Sequence, residues 1–380
     1  MLITFFNCQD VTVRDILVKD SASWGVHFVA CDTVWVEGVR VNNRARPNGD
    51  GLDLESCRNA FISNCHIDCD DDAICLKSSI ANHPCENITV TNCIISSNTA
   101  AVKFGTPSRG GFRNITISNC AFYDCGMGAI KLLSVDGGML DNVTITNIAM
   151  QNVEGPIFMR LGNRNSRFNI PGFSEDNTEP EMNQDTGVLR NVSISHIEAV
   201  LRPVEVKDPM QRVEVDPKTK QGIFITGIPG HIIENITLSD IHVTFPGGGT
   251  REEADINVPE DASMYPEQFF FGKLPAYGAF IRHVKGIKLD NVHFDLARGD
   301  LRPALVCESV QDLELAGFRA TGSFGAPLIR FKQVQDVFIH HCRPQNEAGV
   351  FVQVAGKADH DILLESNDLR KAKIDIERIS

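Results

Sequence analysis

The sequence predicts an all-β solenoid, a β-helix of about ten coils, and three observations point to it. A short segment repeats along most of the 380 residues. Each copy alternates apolar and polar residues over a β-branched run, which is strand periodicity. Cysteines recur at fixed places within the copies. Repeats of this length mean a stacked array in which each unit buries its apolar face against the next.

The copies are clearest at Cys31-Asp32-Thr33-Val34-Trp35-Val36, Cys85-Glu86-Asn87-Ile88-Thr89-Val90, Arg113-Asn114-Ile115-Thr116-Ile117 and Glu234-Asn235-Ile236-Thr237-Leu238. Their leading apolar residues are Val11, Val34, Ala60, Ile88, Ile115, Val143, Val192, Ile236, Ile287, Leu313, Val337 and Ile362, with weaker copies from Ile287 onwards. Most intervals are roughly one coil of short strands. A propeller blade needs a longer unit of about 40 residues. No helical period is evident before the C-terminus.

Cys8, Cys31, Cys57 and Cys85 each precede the leading residue by the same offset, and Cys65, Cys93, Cys120 and Cys342 each follow it by another. Equivalent positions in neighbouring coils lie about 4.8 Å apart, so these residues are expected to form internal ladders as small reduced hydrophobes. A disulfide framework is the rival, but the spacing follows the repeat and a large core needs no staples. No Cys-x-x-Cys pair suggests zinc. The Asn-x-Ser/Thr triplets at Asn87, Asn114, Asn142, Asn191 and Asn235 share one station of the coil. There Asn suits a tight left-handed turn, a reading preferred to glycosylation.

Three intervals are long and hold insertions at about 161–187, 202–221 and 246–277, which read as loops leaving one solenoid domain and returning. Apolar content of 42% supplies a large core, and the net charge of −13 argues against a nucleic-acid partner. No run approaches the ~18 apolar residues of a membrane span. The segment Met1-Leu2-Ile3-Thr4-Phe5 lacks the basic start and cleavage region of a signal peptide. It enters a strand pattern at once with no N-terminal cap, so the native fold is expected to begin earlier.

The chemistry gathers in residues 48–72. Asn48-Gly49-Asp50-Gly51-Leu52-Asp53 is followed one coil later by Asp70-Asp71-Asp72-Ala73-Ile74. Clustered carboxylates raise one another's pKa, so such a cluster points to a site, although a solvated acidic turn or a calcium site is the bland reading. Aligning coils on the apolar anchors Val26, Leu52, Ile74, Val102 and Ile130 stacks His27, Asp53, Cys75, Lys103 and Lys131. It also stacks Trp24, Asp50, Asp72, Ala100 and Gly128. The expected result is one exposed strip of three or four carboxylates bordered by amines. Such a strip suits glycoside hydrolysis, in which one carboxyl group protonates the leaving oxygen and another activates water or attacks directly. The lysines would bind a sugar carboxylate.

At these residues the chain resembles glycoside hydrolase family 28, the polygalacturonase and rhamnogalacturonase family. The family's Asn-Thr-Asp motif matches Asn48-Gly49-Asp50, its Asp-Asp motif matches Asp71-Asp72, and its Arg-Ile-Lys motif matches Ala129-Ile130-Lys131. The segment around Trp24 and His27 is similar to the family's preceding coil, and the motifs cover roughly residues 8–164. The resemblance implies a right-handed parallel β-helix and inversion of the anomer. It implies Asp71 as general acid, Asp50 and Asp72 as water-activating groups, and Lys131 as the holder of a substrate carboxylate. It also implies a secreted or periplasmic location. No cofactor or metal is expected, and the partner is a pectin-type, uronic-acid-containing oligo- or polysaccharide.

Two positions depart from the family pattern. Its Gly-His-Gly falls on Asn98-Thr99-Ala100, and the Arg of Arg-Ile-Lys falls on Ala129. The chain is therefore expected to be an outlying member with altered subsites, in which Lys103 replaces some lost charge. Asn48, Asp53, Lys103, Lys131, Arg160 and Arg164 are the substrate-binding candidates. The insertions are expected to close the groove into a pocket, giving an exo-acting galacturonidase. Tyr265, Phe269, Phe270, Phe271 and Tyr277 of the third insertion either pack its wall or stack on sugar, with packing expected for most. The alternatives are a polysaccharide lyase on the same fold, with calcium and a basic residue as base, and a non-catalytic carbohydrate-binding solenoid.

Overall fold

A computed structural model describes residues 1–164, 186–203, 216–356 and 361–379. The described chain is a parallel β-helix of about 13 turns. The expectation of about ten fell short because the weak copies still close full coils. Leu305–Ala316, Pro327–His340 and Ala348–Ala355 stack in parallel register on one another, and Ala372–Ile379 adds a last rung. Most of the first and second insertions (165–185 and 204–215) lies outside the described residues. Among the described residues no helix is long and apolar enough to cross a membrane.

Each early coil contributes one strand to each of three faces. The site-bearing face runs through Val26–Val29, Leu52–Glu55, Ile74–Ser78, Val102–Ser108, Ile130–Ser134 and Ile157–Leu161. The anchors inferred from the sequence are true register partners: Val26 with Leu52, Leu52 with Ile74, Ile74 with Val102, and Val102 with Ile130. Their side chains point inward and are fully buried, so one continuous apolar core sets the register.

The turns behave as their residue types require. Asn87, Asn114, Asn142, Asn191 and Asn235 all have φ between 53° and 56°, the left-handed region that Asn tolerates. Their side chains ladder from coil to coil, with Asn87 Nδ2 on Asn59 Oδ1 at 3.0 Å and Asn235 Nδ2 on Asn191 Oδ1 at the same distance. All twelve cysteines are free thiols, and only Cys8 is not fully buried.

Strands on the second face alternate buried and exposed residues, as in Arg58–Ser63. Those of the site face do not. Leu52–Glu55, Ile74–Ser78 and Ile130–Ser134 are buried along their whole length, so the strip is roofed rather than exposed. The roof is made partly of ion pairs and partly of the third insertion. That insertion carries two 3₁₀ turns, Glu252–Asp255 and Gln268–Phe271. Phe271 packs against Phe158 and Phe224 in a second apolar cluster that also holds Leu274 and Phe280.

Candidate active site

The segment 48–53 is shaped by close backbone contacts. A Cβ on Gly51 would lie 2.4 Å from the carbonyl oxygen of Ala73, and one on Gly49 equally close to that of Asn43. Only glycine allows the coils to approach this tightly. The backbone N–H of Gly51 donates to Asp72 O at 3.0 Å, so Asp50 and Asp72 sit one above the other.

Asp71 and Asp72 are held by different partners. Asp72 is buried, with Lys103 Nζ 2.8 Å from Oδ2 and Thr99 Oγ1 2.9 Å from Oδ1. Burial opposes its charge, but Lys103, Lys131 and Lys77 together hold Asp72 below the usual carboxylate range. Asp71 has the opposite fate. Burial, then the charges of Asp72 and Asp50, push it up to about 7, against the pull of Lys103 and Thr99. Two adjacent carboxyl groups are thus split into an acid and a carboxylate.

Asp50 and Asp53 share Lys77, whose Nζ is 3.1 Å from Asp50 Oδ2 and also contacts Asp53 Oδ1. Burial and the neighbouring Asp53 push Asp50 up to about 8, and burial pushes Asp53 up to about 6 despite Lys77. Asp50 Oδ1 has no hydrogen-bonding partner among the described residues. Lys77 lies 4.0 Å from the centroid of the Trp24 ring, which meets His27 edge-on. His27 Nε2 in turn is 2.9 Å from Glu55 Oε2.

A cleft of about 440 Å³ opens here, lined by Trp24, Asn48, Asp50, Asp71, Asp72, Lys77, Lys103, Thr106, Arg164 and Tyr265 among others. Asn48, exposed with φ 54°, stands at its rim. Asp50, Asp72 and Cys75 offer three ligand atoms within 4.8 Å of one another. Lys77 and Lys103 already occupy an oxygen of Asp50 and of Asp72, so the donor set fits a lysine network better than a metal.

The remaining sequence-derived candidates are placed differently. Asp53 is fully buried under Lys77 and presents no face to the cleft. Lys131 is also fully buried, its ammonium against Glu267, so it is not the accessible amine expected. Arg160 is buried in the second apolar cluster, 4.9 Å from the Phe271 ring, and donates to the carbonyls of Gly227 and Asp261. It anchors the third insertion instead of reaching sugar. Arg164 does reach the cleft, in a two-pronged pair with Asp136 at 2.7 and 3.0 Å. Of the aromatic residues in the third insertion, Phe271 and Tyr277 are buried, Phe269 is half-buried, and Tyr265 and Phe270 stay exposed.

Sequence reasoning missed Lys77, Glu55 and Glu267. The first two carried a usable signal. They stand two positions after Cys75 and Asp53 on paired strands, in register with each other, and so point to the same side. Glu267 carried none, because it arrives from an insertion without repeat register.

Residues 1–167 match the family described as Glycosyl hydrolases family 28. A probable polygalacturonase of Arabidopsis thaliana is 27% identical over 165 residues, covering 41% of this chain and 34% of that protein. A probable polygalacturonase of Vitis vinifera is 22% identical over 240 residues, covering 61% of this chain and 46% of its own length. The chain therefore spans less than half of these relatives. Among solved structures, a hyperthermoactive exopolygalacturonase from Thermotoga maritima superposes with a TM-score of 0.54 at 20% identity, over 77% of this chain and 54% of that one. That likeness concerns the fold.

Proposed function

The chain belongs, through residues 1–167, to glycosyl hydrolases family 28, and from that premise we propose that it hydrolyses glycosidic bonds in a pectin-type, uronic-acid-containing polysaccharide. The observation that carries the reading is the split between Asp71, pushed up to about 7, and the adjacent ionised Asp72, both at an open cleft. Asp71 donates its proton to the leaving oxygen. Asp72 takes a proton from the attacking water, with Asp50 stacked one coil away beside it. Attack from the face opposite the leaving group inverts the anomeric carbon. The polygalacturonase names of the relatives support a pectic substrate.

The attack is exo. The third insertion stands against the site face and brings Tyr265 to the cleft wall, where its hydroxyl lies 3.2 Å from Thr106 Oγ1. A groove walled in this way suits a chain end better than a polymer passing through. The test is incubation with polygalacturonan and rhamnogalacturonan, with products read by mass and anomers by proton NMR. Early monosaccharide of inverted configuration with little loss of viscosity supports the reading. A ladder of oligomers overturns the exo mode, retention overturns the water mechanism, and an unsaturated uronide product points to a lyase instead.

A further inference from the structure

Glu267 divides its two carboxylate oxygens between two amines on neighbouring coils. Oε1 lies 3.2 Å from Lys103 Nζ and Oε2 contacts Lys131 Nζ. Lys103 and Lys131 are register partners, so their side chains leave the sheet together. Two parallel amines at this spacing form a carboxylate-binding pair, and the protein's own Glu267 fills it. All three side chains are buried. Their position is fixed from behind, because the next residue, Gln268, donates Nε2 to Gln221 O at 2.8 Å and Phe271 seats the turn in the second apolar cluster.

The cations at the cleft wall and directly behind it are consequently paired. Lys103 faces Asp72 and Glu267, Lys131 faces Glu267, Lys77 faces Asp50 and Asp53, and Arg164 faces Asp136. A sugar carboxylate entering beside Lys103 would meet two carboxylates already paired with that amine, and like charges brought together select against a ligand. A hydroxymethyl or hydroxyl group would be accepted, since it can donate to a carboxylate and accept from the ammonium.

We propose that Glu267 is a specificity-determining residue: it saturates Lys103 and Lys131, so that the sugar unit seated against Asp72 and Lys103 is neutral rather than a uronate. The uronate units of a pectin-type chain then lie outside this subsite. The proposal rests on the reading of the cleft as a sugar site, and it replaces the expectation that Lys131 holds a substrate carboxylate.

The test is a matched pair of probes, methyl α-galactoside and methyl α-galacturonide, which differ only in carrying CH₂OH or COO⁻ at C6. Binding to the whole chain is measured by calorimetry, for the wild type and for Glu267→Gln. The wild type is expected to favour the neutral probe by at least about tenfold, and Glu267→Gln to shift that ratio toward the uronide by at least about tenfold. Equal or tighter uronide binding by the wild type overturns the proposal, as does no measurable binding of either probe. Should the variant not fold, the wild-type ratio alone decides. Neutral-selective binding without turnover on any pectic substrate would refute the hydrolase reading and leave this inference standing.

Discussion

Thr99 Oγ1 lies 2.9 Å from Asp72 Oδ1, and the same hydroxyl is 3.1 Å from Asp71 Oδ1. One hydroxyl carries one proton, so it donates to one carboxyl group at a time. Donation to Asp71 favours its ionised form and donation to Asp72 favours the base, so this hydroxyl supports the carboxylate and opposes the proton on the acid. Thr99→Val keeps the shape and removes the link. Hydrogen bonds to charged groups contribute about 1.5–3 kcal/mol, so kcat/KM is expected to fall roughly 10- to 100-fold. Thr99 also pulls the Asp71 pKa down, so its loss should move the alkaline limb of the pH–rate profile upward. An unshifted limb would show that Thr99 does not touch the titrating acid.

Asp71→Asn tests the acid and the cost of holding it. Hydrolysis should fall by at least ~10²-fold, because the proton donor is lost while the shape is kept. Stability should move the other way. The folded pKa of about 7 lies above the unfolded carboxylate value. Between the two, the folded state keeps a proton that the unfolded chain has released, so wild-type stability declines as pH rises through this window and levels off above about 7. An amide escapes that decline. Thermal melts should therefore show Asp71→Asn more stable than wild type at pH 8, by about 1–4 kcal/mol, and nearly equal at pH 4. A constant difference across this range would mean that Asp71 is not held protonated.

The register of the site face was legible because inward apolar residues fix it. Val26, Leu52, Ile74, Val102 and Ile130 can be aligned by eye, and with them come Asp50, Asp72 and Lys103. The turn asparagines were legible for a similar reason, since one residue type recurs where the backbone needs positive φ. The roof was not. Glu267 meets Lys131 across 136 residues of sequence, and nothing in an irregular insertion announces such a partner. The exposed strip inferred from stacking the coils on their apolar anchors became a buried one for this reason, and Lys131, an outward residue on its strand, ended fully covered. Arg160 was misread in the same way, because its partners are carbonyl oxygens of Gly227 and Asp261, which composition cannot reveal.

Lys77 supplies the sharpest stability test. It is buried between Asp50 and Asp53 and under Trp24. Lys77→Met removes the cation and leaves two buried carboxyl groups facing each other. Breaking a buried pair in this way costs about 3–5 kcal/mol. Adding Asp53→Asn to that background should restore part of the loss, because the unmatched charge is then gone. Chemical denaturation of the two single variants and the double variant gives the coupling directly. Additive losses would mean that the ammonium and the Asp53 carboxylate do not interact.

Phe271 is the apolar anchor of the third insertion's second 3₁₀ turn on the solenoid, and this makes a remote residue matter to the cleft. Its ring sits 5.4 Å from that of Phe224 and 6.2 Å from that of Phe158, while Arg160 reaches across to the Asp261 carbonyl. The segment between these two anchors carries both Tyr265 and Glu267. Phe271→Ala opens a cavity, and such truncations cost about 3–5 kcal/mol when global. Here the loss is expected to fall mainly on the insertion, since the coils keep their own continuous core. The helix should melt nearly as before, while Tyr265 and Glu267 lose their fixed positions. Lys103 would then be shared less with Glu267 and more with Asp72 or an incoming anion. The expected signature is a KM raised about tenfold or more for the preferred substrate with a smaller change in kcat, the pattern of lost ground-state binding. A matching gain in affinity for the methyl galacturonide probe should accompany it. A large drop in global stability with unchanged KM would show that Phe271 supports the coils rather than the wall of the cleft.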